Sequence, residues 1–297
     1  MFFYQKIKLD RKASVLVVCL WMVMILSILG ISLGGFVFQL IRFSKSYESK
    51  ILSLPLAKAA VKSIFYIREK DTTAQFDTFE ELSEEKSIIL CRNNSYKYFL
   101  GDKNGDALVD ESALININTV SSEVLERLPG MEKELAEKIL NSGLRPFSSI
   151  NELFLVEGMD KEKFMQFKDL ITVYGTGKIN INTASRAVLL ALGLDSETAD
   201  IILRAQKEYK IQNPDPYSNL DLGHGFETTG KILDVLRSLS TLSIVQEQSI
   251  LSLLSVLDVK SEYLRLNVMA LPSGKEGLRY SILIYPATKK ILSWSEF

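Results

Sequence analysis

Hydrophobic and polar positions predict a long N-terminal helix, a small set of strands and a helical middle. Residues 13–41 carry no charge between Lys12 and Arg42 and are rich in Val, Leu, Ile, Met and Phe. A bilayer core needs about 20 apolar residues in a helix, so this run predicts a membrane-spanning helix with length to spare. A secretory signal has a shorter apolar region, about 7–15 residues, ending at a small-residue cleavage site. Here Gly34 and Gly35 are followed by Phe36, Val37 and Phe38, so the run reads as a retained anchor. Past Arg42 apolar positions recur at helical spacing: Ile51, Leu52, Leu54, Leu56, Ala59, Ala60, Ile64 and Phe65. The helix should therefore continue to about Lys70, embedding its first half in lipid and packing its second on a globular head. Pro55 is placed to kink it.

Strand-like runs follow at residues 87–92 and 96–101, joined by Asn93, Asn94 and Ser95, residues that suit a tight turn. Three more lie at the far end, at 263–271, 278–285 and 290–294, and read as an antiparallel meander. Between these groups the pattern is helical. A helical insertion into a small antiparallel sheet accounts for the order, and the fold class is α+β.

The middle contains an internal repeat. Ile115-Asn116-Ile117-Asn118-Thr119 recurs as Ile179-Asn180-Ile181-Asn182-Thr183. Helical patterns follow each copy, through Val124, Leu125 and Leu128 and through Val188, Leu189 and Leu192. Second helices come next, and each copy reaches a short tag, Pro146-Phe147-Ser148 or Pro216-Tyr217-Ser218. The Asn-Thr steps suit helix starts, where their side chains cap free amides. Two related halves of short helices, five to seven helices in all, are expected.

Charge changes the picture in three places. Lys6, Lys8, Arg11 and Lys12 precede the apolar run against Asp10 alone, which keeps the N-terminus cytoplasmic and places the remainder across the membrane. The net charge of −1 gives no general attraction to nucleic acid. The third place is the loop Asp102-Lys103-Asn104-Gly105-Asp106, followed by Asp110 and Glu111. Asp102, Asn104 and Asp106 offer three oxygens from one turn, as the opening of a calcium loop does, and Asp110 and Glu111 could complete the set. Ala107 and Ala113 stand where an EF-hand needs Gly and Glu, and a solvated Asp-, Asn- and Gly-rich turn is the other reading.

Catalytic chemistry has little to build on. His224 is the sole histidine, in a Gly-His-Gly loop. Cys19 lies in the apolar run and Cys91 far outside it, so no bridge is expected between them. Neither a metal triad, a Cys–His pair, a nucleophile elbow nor a phosphate-cradling loop is present. The chain reads as a non-enzyme without a small-molecule substrate.

Leu128-Pro129-Gly130-Met131, between two helical patterns, looks like a helix-hairpin-helix motif, and Glu157-Gly158-Met159 does so more weakly. DNA-binding versions present backbone amides to a phosphate with Lys or Arg beside them. Here Glu132, Glu134, Asp160, Glu162, Asp195 and Glu197 follow the turns instead. The hairpins read as structural.

Together the basic leader, the apolar helix, the insertion opening on an Asn-Ile-Asn-Thr step and the closing strands with Trp294 resemble the K-class minor pseudopilins of type II secretion systems, general secretion pathway protein K. The resemblance implies a leader removed by prepilin peptidase between Ala13 and Ser14, where most members have Gly in place of Ala13, and methylation of the new N-terminus. It implies calcium binding in the globular region. The fifth mature residue would be Val18, where major pseudopilins carry Glu, which suits a filament tip. Its partners would be minor pseudopilins of the I and J classes, in the inner membrane with the head periplasmic. The organisation expected is a leader at 1–13, the transmembrane and pilin-like helix at 14–70, the first part of the head at 71–112, the insertion at 113–255 with SAM-like halves 113–177 and 178–255, and closing strands at 256–297. The alternative is a membrane-anchored DNA receptor of the competence type, which the acidic turns and flanking strands oppose.

Overall fold

The computed structural model describes residues 11–71, 73, 75–83, 87–89, 96–100, 108–212, 222–272 and 277–296. The chain forms two compact units, Met1–Leu52 and Ser53–Phe297. In the first, helix α1 (Arg11–Glu69) begins, and its apolar side chains lie bare, Trp21 at 62% and Ile31 at 77% exposure. By length and composition α1 is able to cross a membrane. It runs through Pro55 unbroken, and Pro55 is exposed, so the missing N–H lies on an outer face.

Within the second unit α1 is followed by α2 (Phe79–Ser83), β1 (Ser87–Ile89), β2 (Tyr96–Leu100) and β3 (Leu108–Asp110). The insertion then runs through β4 (Ile115–Asn116), α3 (Ser122–Glu126), α4 (Lys133–Leu140), α5 (Lys161–Phe167), β5 (Ile171–Thr172), β6 (Ile179–Asn180), α6 (Arg186–Ala191), α7 (Ser196–Glu208), α8 (Ile232–Leu239), α9 (Ile244–Leu253) and β7 (Leu257–Asp258). The chain closes with β8 (Leu264–Pro272), β9 (Arg279–Tyr285) and β10 (Lys290–Glu296).

The head is an antiparallel sheet in the order β1-β2-β8-β9-β10. β3 also pairs with β8, placing Leu108 opposite Leu266 and Asp110 opposite Leu264. β8 alternates strictly, with Leu264, Leu266, Val268 and Ala270 buried, as a strand with one face against a helix must. The covering helix is the second part of α1. Its buried residues Leu56, Ala57, Ala60, Val61 and Ile64 fall at steps of three and four, one stripe of a helix. Ala57 and Ala60 let the backbone approach the sheet closely. Leu56, Val61 and Ile64 contribute about 1.5–3 kcal/mol each through burial.

The insertion has its own core, and the repeat is visible in its ladders. Ile115 pairs in parallel with Ile171, and Ile179 pairs in parallel with Leu257. Each half thus opens and closes on a short two-stranded ladder, with two helical hairpins between. The second half closes at β7, just beyond residue 255. Ile117, Leu125 and Ile139 from one half and Ile181, Leu189 and Ile202 from the other belong to one buried cluster. The halves are packed against each other, not strung as separate beads.

Candidate functional site

Repeat residues Asn118 and Asn182 form two equivalent clamps. Asn118 Nδ2 donates to the Phe147 carbonyl at 2.9 Å, and the Phe147 N–H donates to Asn118 Oδ1 at 2.7 Å. Asn182 grips Phe226 in the same way, at 2.9 and 2.7 Å. Asn116 and Asn180 each accept from the N–H two residues on, at 2.9 Å in both copies. These asparagines therefore fold the loop at each entry and do not cap helices. α6 and α7 are capped by Ser185 and Asp195. The structural counterpart of Phe147 is Phe226; the expected counterpart, 216–218, lies outside the described residues. Gly225 has φ 128°, and a Cβ there would lie 2.5 Å from Asn182 Oδ1, so the second clamp requires glycine beside Phe226.

The repeats differ in what their first asparagine reaches. Asn116 Nδ2 donates to the carbonyls of Tyr174 and Gly175 at 3.0 and 2.8 Å. Asn180 Nδ2 turns toward the head, donating to Asp110 Oδ2 at 3.0 Å and to Ser261 Oγ at 2.9 Å. Asp110, at the end of β3, also receives Thr183 Oγ1 at 2.6 Å, the Ser112 N–H at 2.8 Å and the Ser261 hydroxyl. Burial pushes its carboxyl up to about 6, against the pull of these four donors. Glu111 accepts from Thr172 Oγ1 of β5 at 2.5 Å and from Arg265 of β8, Nε standing 2.6 Å away. Successive acids thus tie the sheet to both halves of the insertion. Asp77 completes the joint: it pairs with Arg68 of α1 and accepts from the Ser261 N–H at 2.6 Å. Its carboxyl is raised, burial outweighing the Arg68 charge.

The calcium reading is affected directly. Asp110 and Glu111 are buried and committed to protein donors, one of them a guanidinium, so neither side chain is free to ligate a cation. Asp102, Asn104 and Asp106 lie outside the described residues. Ala13 and Ser14 fall in the first turns of α1. His224 Nδ1 meets Glu80 Oε1 of α2 at 2.8 Å, one more strut between insertion and head. Among the described residues no cluster of three His, Cys, Asp or Glu side chains could hold a metal. Ser261, Thr172, Asp77 and Arg265 escaped sequence reasoning, and Thr183 reads there only as a helix start. Its place in the repeat is the signal that singles it out.

The hairpin turns are geometrically real. Gly130, Gly158 and Gly193 have φ of 71°, 92° and 101°, which favours glycine. Their electrostatics are inverted for a phosphate site. Asp160 caps α5 by accepting from the Lys163 N–H at 2.8 Å, and Asp195 caps α7 by accepting from the Thr198 N–H at 3.0 Å. Lys163 and Lys138 turn to Glu132 and Glu134.

The class defined is a long N-terminal helix on an antiparallel sheet that carries duplicated helical hairpins. A model of the helix-hairpin-helix motif matches residues 110–172. A chain in the crystal structure of the GspK-GspI-GspJ complex from the enterotoxigenic Escherichia coli type 2 secretion system has the same fold. It is 18% identical, with 86% of this chain and 99% of that chain covered and a TM-score of 0.56. Comparison with curated proteins gives no match.

Proposed function

We propose that this protein is a K-class minor pseudopilin, sitting at or near the tip of a type II secretion pseudopilus and taking part in protein export across the outer membrane. The observation that carries the proposal is the fold shared over 99% of a chain of the GspK-GspI-GspJ complex. The exposed apolar first part of α1 supports it, because a pilin helix must be bare to exchange lipid for partner helices. On this reading the inner membrane holds α1, the head is periplasmic, and prepilin peptidase cuts between Ala13 and Ser14 and the new N-terminus is methylated. Val18 leaves the fifth mature position without a carboxylate, as suits a subunit with none above it. Minor pseudopilins of the I and J classes are the partners. Calcium is part of this reading, held by Asp102, Asn104 and Asp106.

N-terminal sequencing of the mature protein tests the reading. A start at Ser14, abolished in Ala13→Leu, together with co-purification of I- and J-class subunits, is expected. A mature chain beginning at Met1 would sink it.

A further inference from the structure

A half-open cleft of about 440 Å³ lies between the two halves of the insertion, and neither Asn118, Asn182 nor the buried carboxylates line it. Val124, Leu192, Leu253 and Val256 give it apolar lining, beside the polar Asn116, Thr119 and Ser121. One wall is α3, the other α9.

The α3 wall carries charge without partners. Glu123 and Arg127 stand four residues apart and both line the cleft. At that spacing they are neighbours on a helix, about 6 Å apart along its axis, yet neither forms an ion pair with the other or with any described residue. Every other described arginine of the second unit has an acceptor or another partner. Arg127 is exposed but lies close against the second half. Its Nη1 sits 2.8 Å from where a Cβ on Gly193 would be, so the glycine of the opposite hairpin makes room for it.

The α9 wall is uncharged. Ser249 and Ser252 line the cleft, and helical spacing continues their row outward to Val245; Val256, in the turn after α9, lines the cleft beyond them. Both serine hydroxyls donate to carbonyls of their own helix, Ser249 to Val245 at 2.9 Å and Ser252 to Ser249 at 2.7 Å. The row is therefore small and offers no free donor over about 10 Å, two helical turns. Val245 is 71% exposed at its outer end, and Ile244 beside it 76%.

We propose that this cleft docks an amphipathic helix of a partner protein, which lays an apolar stripe along the α9 row and sets a carboxylate against Arg127 and a Lys or Arg against Glu123. An extended segment would bring backbone groups to a wall with no donors for them, whereas a helix satisfies its own backbone. The two free charges fix the direction of the entering helix, because acid and base must also stand about one turn apart on it. This proposal does not depend on the pseudopilin reading.

The test uses the full chain in nonionic detergent and a synthetic Ala- and Leu-rich helical peptide with Glu and Lys four residues apart and a benzophenone on its apolar face. Photo-crosslinks located by mass spectrometry should fall on α9 and α3. Arg127→Glu should lower their yield about tenfold or more, and a peptide with Glu and Lys exchanged should restore it on Glu123→Lys with Arg127→Glu. Ser252→Trp, which fills the cleft without altering charge, should abolish them. Thermal melts confirm that each variant is folded. Equal crosslinking in Arg127→Glu, crosslinks confined to α1, or chain-to-chain crosslinks through α9 would each overturn the proposal, the last in favour of a second copy.

Discussion

The side-chain amide of Asn180 stands 3.0 Å from Oδ2 of Asp110, across 70 residues of chain, and both residues are buried. One comes from the insertion and the other from the last residue of β3, so this hydrogen bond joins two bodies with separate cores. Asn116, its twin in the first repeat, reaches carbonyls at the end of its own half and not the head. The duplicated motif has thus been put to two uses.

The joint should behave as a coupled unit. Asn180→Ala is expected to destabilise the full chain by about 2 kcal/mol or more, since it leaves a buried carboxylate short of a donor. In a double-mutant cycle with Asp110→Ala the two changes should be non-additive by about 1–3 kcal/mol, by urea denaturation in detergent. Asn116→Ala should cost less. Simple additivity of Asn180 and Asp110 would show that the contact carries no coupling.

Stability should also depend on pH through Asp110. Its carboxyl lies at about 6 in the folded chain against 3.8 ordinarily. Between these values the folded state keeps a proton that the unfolded chain has released, so this contribution is fully present below pH 4 and is lost as pH rises through 6. The loss amounts to about 3 kcal/mol at most. Measured in chelator, Asp110→Asn should flatten the decline of stability over that window. Some slope of the same sign remains, because burial also raises Asp77 and Glu81. An unchanged slope in Asp110→Asn would refute the assignment.

DNA binding separates the pseudopilin from the competence-type receptor. With Asp160 and Asp195 already on the helix amides, the full chain in detergent should bind duplex DNA no better than an acidic control at physiological salt. Non-specific binders reach a Kd of about 10⁻⁴–10⁻⁶ M there, with steep salt dependence. Binding in that range, weakening as salt is added, would favour the receptor.

Calcium is tested by thermal melts with the ion and with chelator. Binding to the 102–106 loop should raise the midpoint by mass action, at an affinity of about 10⁻⁴–10⁻³ M. Asp102→Ala combined with Asp106→Ala should remove the shift, while Asp110→Asn should leave it in place. A midpoint that ignores calcium reduces the loop to a turn.

Much of the architecture was legible because it rests on periodicity. The helix expected to reach about Lys70 ends at Glu69, and β8 and β9 fall within a residue of the runs at 263–271 and 278–285. The hairpin glycines were legible because positive φ leaves few alternatives. The site was harder to read. The Asn-Thr steps looked like caps, since capping is the commonest local use of those side chains. Their actual partners, Phe147 and Phe226, lie 29 and 44 residues on. Asp110 and Glu111 looked like ligands because acids in a row after an Asp-rich loop suggest a cation. Only tertiary packing supplies the hydroxyls, amide and guanidinium that take the cation's place.

Asp110 and Leu264 face each other across an antiparallel strand pair. Everything between them is, in topology, the loop of a β-hairpin. Its two ends lie about 5 Å apart, the gap that a tight turn of a few residues closes. Lengthening such a loop costs little, about 0.6 kcal/mol for each doubling, which is why a sheet this small can carry a body larger than itself. The sheet's strand order and register are made by pairings among head strands alone. The head should therefore accept a short turn, or a different globular domain, in its place.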